Sequence, residues 1–241
     1  MEAFANSDIG KVRDMNQDSY YISDKDDKIK LYIVADGMGG YKGGEIASKL
    51  AIESSKNYII NNFDQIKKER DQIIELIKNA IEYANMVVYE KSKEVPELAG
   101  MGTTIDVCLI YLNRIYIGHI GDSRVYRLRK NFFRKLTVDD SYVEQLVKEG
   151  NITKEEAYNH PKKNMLTKAL GCTVFVEPTV LVKGFMKGDI LLMCTDGLTN
   201  MLKEDKICEI IKQNSEQASK ELVKKANEQG GYDNITAVII L

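Results

Sequence analysis

The sequence predicts an α+β fold of four layers, two mainly antiparallel sheets packed face to face with helices outside. Three observations predict it. Two long amphipathic stretches, 45–62 and 65–93, precede the middle of the chain. Four short strand-like runs then follow one another between residues 103 and 136 with tight turns between them. A second pair of helical stretches, 204–211 and 216–229, leads into a closing apolar run, 235–241. Helices and sheets each bury one face, so the simplest packing stacks the sheets and covers them with helices. An alternating parallel βαβ sheet fits poorly, because the middle strands succeed each other directly.

Taken in order, residues 1–8 read as a short strand, 10–18 as a polar loop, and 19–23 as a second strand. The turn that follows carries Asp24, Asp26 and Asp27. It lacks the glycine and closing glutamate of a calcium loop and reads as solvated. Leu31-Tyr32-Ile33-Val34-Ala35 is a buried strand that stops at Asp36-Gly37, with Gly39, Gly40, Gly43 and Gly44 just beyond. Alone, Asp-Gly after a strand is an ordinary turn. Ile46, Ala47, Leu50, Ala51 and Tyr58 share one helical face, as do Ile73, Ile77, Ala80, Ile81, Ala84, Val87 and Val88 of the next helix. Pro96 and Gly100 end that block. Strands are expected over 103–112, 114–120, 123–129 and 131–136, with turns at Asn113 and Lys130 suggesting an antiparallel meander. Residues 137–164 are polar and read as an inserted flap with a short helix at 142–148. Strands at 178–185 and 189–195 follow, joined through Lys187-Gly188. Thr195-Asp196-Gly197 then repeats the pattern of an apolar strand running into Asp-Gly.

The 241 residues form one domain in this reading, 44% hydrophobic and 29% charged, an ordinary globular composition. A net charge of −2 provides no basic field for nucleic acid or an anionic membrane. The first residues show no basic, apolar leader pattern, and no apolar run is long enough to span a bilayer. Cys108, Cys172, Cys194 and Cys208 lack paired metal spacing and read as reduced core or near-core residues of a cytoplasmic protein.

The chemistry lies in four acids with one local setting: Asp36, Asp122, Asp196 and Asp233 each stand at a strand edge beside a small or turn-forming residue. If those edges converge, the carboxylates repel one another unless cations neutralise them. Ligands that are all oxygen select hard ions, Mg²⁺ or Mn²⁺. Two such ions about 3.5–4 Å apart acidify a water for attack on phosphorus. Arg13 adds a permanently charged fork suited to phosphate.

In order along the chain stand Ser7-Asp8-x-Gly10-x-x-Arg13-x-x-Asn16-Gln17-Asp18, Val34-Ala35-Asp36-Gly37-Met38-Gly39-Gly40 and Gly100-Met101-Gly102-Thr103-Thr104. Then come Gly118-His119-Ile120-Gly121-Asp122-Ser123-Arg124, Leu166-Thr167-x-Ala169-Leu170-Gly171, Cys194-Thr195-Asp196-Gly197-Leu198 and Gly231-Tyr232-Asp233-Asn234-Ile235-Thr236. Together they resemble the metal-dependent type 2C serine/threonine protein phosphatases in their stand-alone bacterial form, over nearly the whole chain. The resemblance implies a helix-flanked β-sandwich, 1–241, with a flap at 137–164 and metals at one end. It implies Asp36, Asp196 and Asp233 on a first metal; Asp36, the Gly37 carbonyl and Gln17 on a second; and Asp18 acting through metal-bound water. It further implies a third ion at Asp122 and Asp196, and Arg13 clamping the substrate phosphate while a metal-bridging water attacks. Its partners would be phosphorylated proteins and a cognate serine/threonine kinase, with no nucleic acid or membrane, for a monomer. Asn234 is expected to shape the turn that aims Asp233.

Three positions depart from the pattern. Gln17 replaces a glutamate common in the family and removes a charge from the second metal's surroundings. Met38 stands where eukaryotic members carry a histidine, which leaves the proton donor to the leaving group unidentified. Asp140 stands where bacterial relatives often have histidine. Other readings compete. Cys108 and Arg114 have the Cys-x₅-Arg spacing of thiol phosphatases, but the residues between include no glycine, and Leu109 to Leu112 are apolar and strand-forming. His119 reads as structural, and His160 as a helix stop or a substrate contact. A phosphoprotein-binding relative without turnover is the non-enzymatic alternative.

Overall fold

The structure, a computed structural model, describes residues 1–40 and 42–241. In chain order its strands are β1 (Ala3–Asp8), β2 (Asp18–Ile22), β3 (Lys30–Met38), β4 (Gly102–Thr103), β5 (Ile105–Tyr111), β6 (Arg114–Ile120), β7 (Arg124–Arg129), β8 (Phe132–Lys135), β9 (Thr179–Gly184), β10 (Ile190–Cys194) and β11 (Ile235–Ile240). Its helices are α1 (Gly43–Phe63), α2 (Arg70–Glu94), α3 (Tyr142–Lys148), α4 (Lys154–Tyr158), α5 (Asp196–Thr199), α6 (Glu204–Gln213) and α7 (Ala218–Glu228). One sheet has the order β1-β11-β10-β7-β8, and the other the order β2-β3-β5-β6-β9 with β4 added to β3. Every pairing is antiparallel.

Strand alternation sorts the core into three layers. On β3, Leu31, Ile33 and Ala35 pack beneath α1 and α2, while Tyr32 and Val34 point between the sheets. On β11, Ile235, Ala237 and Ile239 meet α6 and α7, while Val238 and Ile240 point between the sheets. Each such Leu, Ile or Val side chain, fully buried, contributes about 1.5–3 kcal/mol. The predicted four-layer sandwich is therefore the observed one.

Several details differ from expectation. The strand ending at Asp36 runs on to Met38, because Gly37 and Met38 pair with Thr103 and Gly102. The second helix starts at Arg70 rather than Gln65, since Lys68 takes a left-handed conformation (φ 59°) that interrupts a helix. Residues 103–136 do not form one meander. β5–β6 and β7–β8 are hairpins, but the chain leaves one sheet for the other between β6 and β7. Gly121 makes that crossing possible: its φ is 105°, and a Cβ there would lie 2.5 Å from the Thr104 side chain. The short helix α4 was not expected, although Thr153-x-x-Glu156 closes as a capping box.

Candidate metal centre

Alternation also delivers the acids. Asp36 follows Tyr32 and Val34 in the row that points between the sheets, at the place where the apolar filling ends. Its backbone is held on both sides: its N–H donates to Thr104 Oγ1 (2.9 Å), and its carbonyl accepts from Thr104 N (2.9 Å) and Thr103 Oγ1 (2.9 Å). Asp18 lies directly opposite Asp36 in the β2–β3 register. From the facing sheet, Thr195 and Thr236 donate to Asp18 Oδ2 at 2.9 and 2.7 Å. Asp18 Oδ1 is buried and has no hydrogen-bond partner among the described residues.

The other acids come from connections that meet the same end of the sandwich. Asp196 opens α5, and Asn200 Nδ2 donates to its Oδ2 (2.9 Å). Asp122 lies in the sheet-to-sheet crossing, beside Ser123, whose hydroxyl bonds that of Thr104 (2.7 Å). Asp233 precedes β11 and accepts from Arg13 Nη2 at 2.8 Å. Asn234 does more than shape that turn. Its Oδ1 accepts from Gln17 N (2.8 Å), and its Nδ2 donates to the carbonyls of Ile9 and Met15 (2.9 Å each), so it pins the loop that carries Arg13 and Gln17.

Arg13, Gln17, Asp36, Gly37, Asp122, Asp196 and Asp233 line one cavity of about 220 Å³, with Asp18 beneath it. Gln17 lies at its edge, with its side-chain oxygen near Gly44 and its amide nitrogen toward Met15 Sδ (3.6 Å). Burial, and then repulsion among the acids, pushes Asp36 and Asp122 well above the usual carboxylate range and raises Asp196. Burial likewise pushes Asp18 up to about 7. The hydrogen bond to Asp233 is the main cause that raises Arg13.

Among the described residues no three His, Cys, Asp or Glu side chains already form a closed ion cage. The acids are turned to local partners instead: Asp18 to two threonines, Asp196 to Asn200 and Asp233 to Arg13. The donor set nonetheless fits a hard cation. It is all oxygen, it is crowded with charge that only cations can offset, and it includes the orphaned Asp18 oxygen. A zinc or thiolate site is not what these residues form.

The strain of the acids has a measurable sign. A carboxyl whose value rises from 3.8 to about 7 on folding favours the protonated folded protein, so its effect on stability worsens as pH climbs through that window. EDTA-treated Asp18→Asn should therefore match the EDTA-treated wild type in Tm near pH 4 and exceed it at pH 8. Parallel melting curves with no divergence would refute the buried, repelled Asp18.

The thiol alternative is excluded by position. Cys108 is buried between the sheets, burial pushes its thiol up, and Arg114 sits exposed at the start of β6. His119 is a core residue, as expected. Sequence reasoning assigned no role to Thr104, Thr195, Asn200 or Thr236, the residues that hold the acids. The available signal was adjacency, because Thr195 touches Asp196 in sequence and Thr104 ends the Gly-Thr-Thr run.

Residues 11–229 match the family described as Protein phosphatase 2C. The chain is similar to the serine/threonine phosphatase stp of Listeria innocua, 36% identical over 242 residues that take in 100% of this chain and 95% of that protein. In structure it is similar to the serine/threonine phosphatase PstP/Ppp of Mycobacterium tuberculosis, with a TM-score of 0.88, 36% identity, and coverage of 99% of this chain and 97% of that one. It is also similar to the catalytic domain of PstP in complex with two manganese ions, with a TM-score of 0.86, 34% identity, and coverage of 99% and 96%. The likenesses to these relatives run over nearly the whole chain, whereas the family match ends at residue 229, before Asp233 and β11.

Proposed function

The chain belongs to the protein phosphatase 2C family and is a metal-dependent phosphatase of phosphoserine and phosphothreonine in proteins; from that premise we propose which of its residues do the work. Asp36, Asp196 and Asp233 would hold a first ion, and Asp36, the Gly37 carbonyl and Gln17 a second. Asp18 would act through water, and Asp122 and Asp196 would hold a third. The ions are Mn²⁺ or Mg²⁺. When bound, they supply Lewis acidity and a water acidified enough to attack phosphorus near neutral pH. The observation that carries this reading is the convergence of Asp36, Asp196 and Asp233, far apart in sequence, in one cavity with Arg13 at its rim.

Everything else is the chain's own work. Arg13, half-exposed and already aimed at the cluster by Asp233, offers its free guanidinium nitrogens to the phosphate oxygens. Thr195, Thr236 and Asn200 hold Asp18 and Asp196 in place, and Thr103 and Thr104 hold the backbone of Asp36, so the site is organised before substrate arrives. Residues 137–164 form the flap. A cavity of about 620 Å³ beneath α3 and α4 reaches Asp122 and Asp196, which is space for the polypeptide that flanks the phosphorylated residue. Residues 1–241 act as one domain, because the cluster draws on both sheets. A complete cluster in one chain supports a monomer, and phosphoprotein substrates imply an opposing serine/threonine kinase. The four cysteines are free, which supports a cytoplasmic setting. No helix among the described residues is long and apolar enough to cross a membrane.

The deciding assay is a phosphopeptide panel of phosphoserine, phosphothreonine and phosphotyrosine, run with Mn²⁺, with Mg²⁺ and with EDTA. Turnover of the first two that needs the ion supports the reading, and undiminished turnover in EDTA would end it. Arg13→Ala should raise KM for phosphopeptides about 10–100-fold, the worth of hydrogen bonds to a charged group, with a smaller change in kcat. Arg13→Lys should recover only part of this, because an ammonium has no planar fork. A KM unchanged in Arg13→Ala would remove Arg13 from substrate binding.

A further inference from the structure

On β5 and β6 the apolar rows that point between the sheets each end in an ionisable residue. On β5 the row of Cys108 and Ile110 ends in Asp106, and on β6 the row of Ile115 and Ile117 ends in His119. The two residues are partners in the β5–β6 register and are buried, at 0% and 1% exposure. His119 Nδ1 lies 2.7 Å from Asp106 Oδ1, and His119 Nε2 lies 3.0 Å from the Val138 carbonyl. A carbonyl only accepts, so Nε2 carries a hydrogen, and the carboxyl faces the other ring nitrogen across a shared proton. The second carboxyl oxygen of Asp106 is buried with no partner among the described residues. Two apolar residues would fill this space with no such penalty. The pair therefore serves something other than packing.

What it grips is the root of the flap. Residues 137–142 are tied down one after another. Val125 N donates to Thr137 Oγ1 (3.1 Å), and His119 holds the Val138 carbonyl. Arg124 Nε and Nη2 donate to Asp139 Oδ2 at 3.0 and 2.7 Å. Asp140 N donates to the Gly121 carbonyl (2.7 Å), and Gly121 N donates to the Asp140 side chain (3.3 Å). Tyr142 N then donates to the Met165 carbonyl (2.8 Å) at the far end of the flap. Gly121 immediately precedes Asp122. Of these ties, only the one through His119 reaches into the sandwich interior between β5 and β6.

We propose that Asp106 and His119 are a positioning pair: the carboxyl fixes the imidazole with Nε2–H outward, and that N–H registers the flap root at Val138 against the crossing that carries Asp122. The consequence for catalysis rests on the reading that 137–164 faces the substrate protein. Burial raises Asp106; for His119 burial works to lower it, but the carboxylate and the hydrogen bond outweigh burial and raise it, which agrees with a proton held within the pair.

Two variants separate orientation from charge. In Asp106→Asn the amide can donate to Nδ1 while Nε2–H stays on Val138, so the geometry survives without the charge. In Asp106→Leu nothing faces Nδ1, and the ring is free to change tautomer and release Val138. Amide hydrogen exchange over 137–166 and Mn²⁺-dependent kinetics on a phosphoserine peptide and on p-nitrophenyl phosphate are the readouts. In Asp106→Leu exchange at 138–142 should speed up about tenfold, the worth of one buried hydrogen bond, and KM for the peptide should rise by a similar factor. The small ester should be turned over as in wild type, and Asp106→Asn should match wild type in all three. Wild-type exchange in Asp106→Leu, or an Asp106→Asn variant as impaired as Asp106→Leu, would overturn the proposal. Faster exchange with an unchanged peptide KM would uphold the pair and remove the substrate role of the flap. Should Asp106→Leu not fold, the imidazole ¹⁵N spectrum of the wild type decides: with only two histidines, His119 should show a protonated Nε2, and a bare Nε2 would overturn the proposal.

Discussion

Asp36→Asn should fold, gain stability without metal, and lose turnover. The side chain keeps its size, and the hydrogen bonds that fix this stretch belong to the Asp36 backbone and to Thr103 and Thr104, so the substitution leaves them intact. Only a charge and a ligand oxygen disappear. The loss of activity should exceed about a hundredfold, the upper figure for removing a residue that merely supports a metal ligand. The gain follows from electrostatics. The Asp36 carboxyl is buried and surrounded by Asp18, Asp196, Asp122 and Asp233, all of which oppose its charge. Removing that charge relieves the EDTA-treated protein, so its Tm at pH 8 should rise above that of the EDTA-treated wild type. Added Mn²⁺ should stabilise the variant less than it stabilises wild type, because the ligand proposed for the ion is gone. A variant that melts lower and is inactive would show only that the fold was damaged. Near wild-type turnover would remove Asp36 from the site altogether.

That opposition between stability and activity explains why so much of the site was legible in the chain. Acidic residues at the ends of apolar strands conflict with burial, and such conflicts are where function is expected. Asp36, Asp196 and Asp233 were visible on that ground, and the structure brings them together with Asp122 and Arg13. The four layers were legible as well, since a period of two in strands and of 3.6 in helices reports which faces must be covered.

What stayed hidden depends on three-dimensional partners. A turn at Gly121 signals that the chain changes direction, and nothing local tells whether it returns to the same sheet or crosses to the other. The crossing is what places Asp122 at the cluster. The hydroxyls that hold Asp18 come from Thr195 and Thr236, which are 177 and 218 residues away from it. Asp106 stands in an apolar run, and only the register that sets it opposite His119 shows why an acid is there. Asn234 was read as a turn residue because its reach to Ile9, Met15 and Gln17 spans nearly the whole chain.

Gly37→Ala should be the most damaging single-methyl change at the site, and its neighbour Gly40 provides the control. A Cβ on Gly37 would lie 2.0 Å from the Gly44 carbonyl oxygen and 2.7 Å from that of Gln17. Both obstacles are backbone, so no side chain can rotate away. Either the end of β3 moves off β2, which breaks the Asp18–Asp36 register, or the first turn of α1 lifts. The helix resists because Ala47, Ala51, Ile52, Ile59 and Phe63 are buried beneath it. Overpacking of this kind costs about 3 kcal/mol or more. For a domain of this size that is a fall in Tm of about 6–12 °C. Turnover should fall further than stability alone explains, since either movement shifts the Gly37 carbonyl and Asp36 relative to Asp196 and Asp233. A Cβ on Gly40 would meet nothing within 4 Å among the described residues beyond its chain neighbours, so Gly40→Ala should keep wild-type Tm and wild-type activity. The glycines after Asp36 look alike in the sequence, and this pair of variants tests whether the close approach of β3 to α1, rather than a general need for flexibility, is what the site requires of Gly37. Equal melting temperatures for the two variants would refute the close approach.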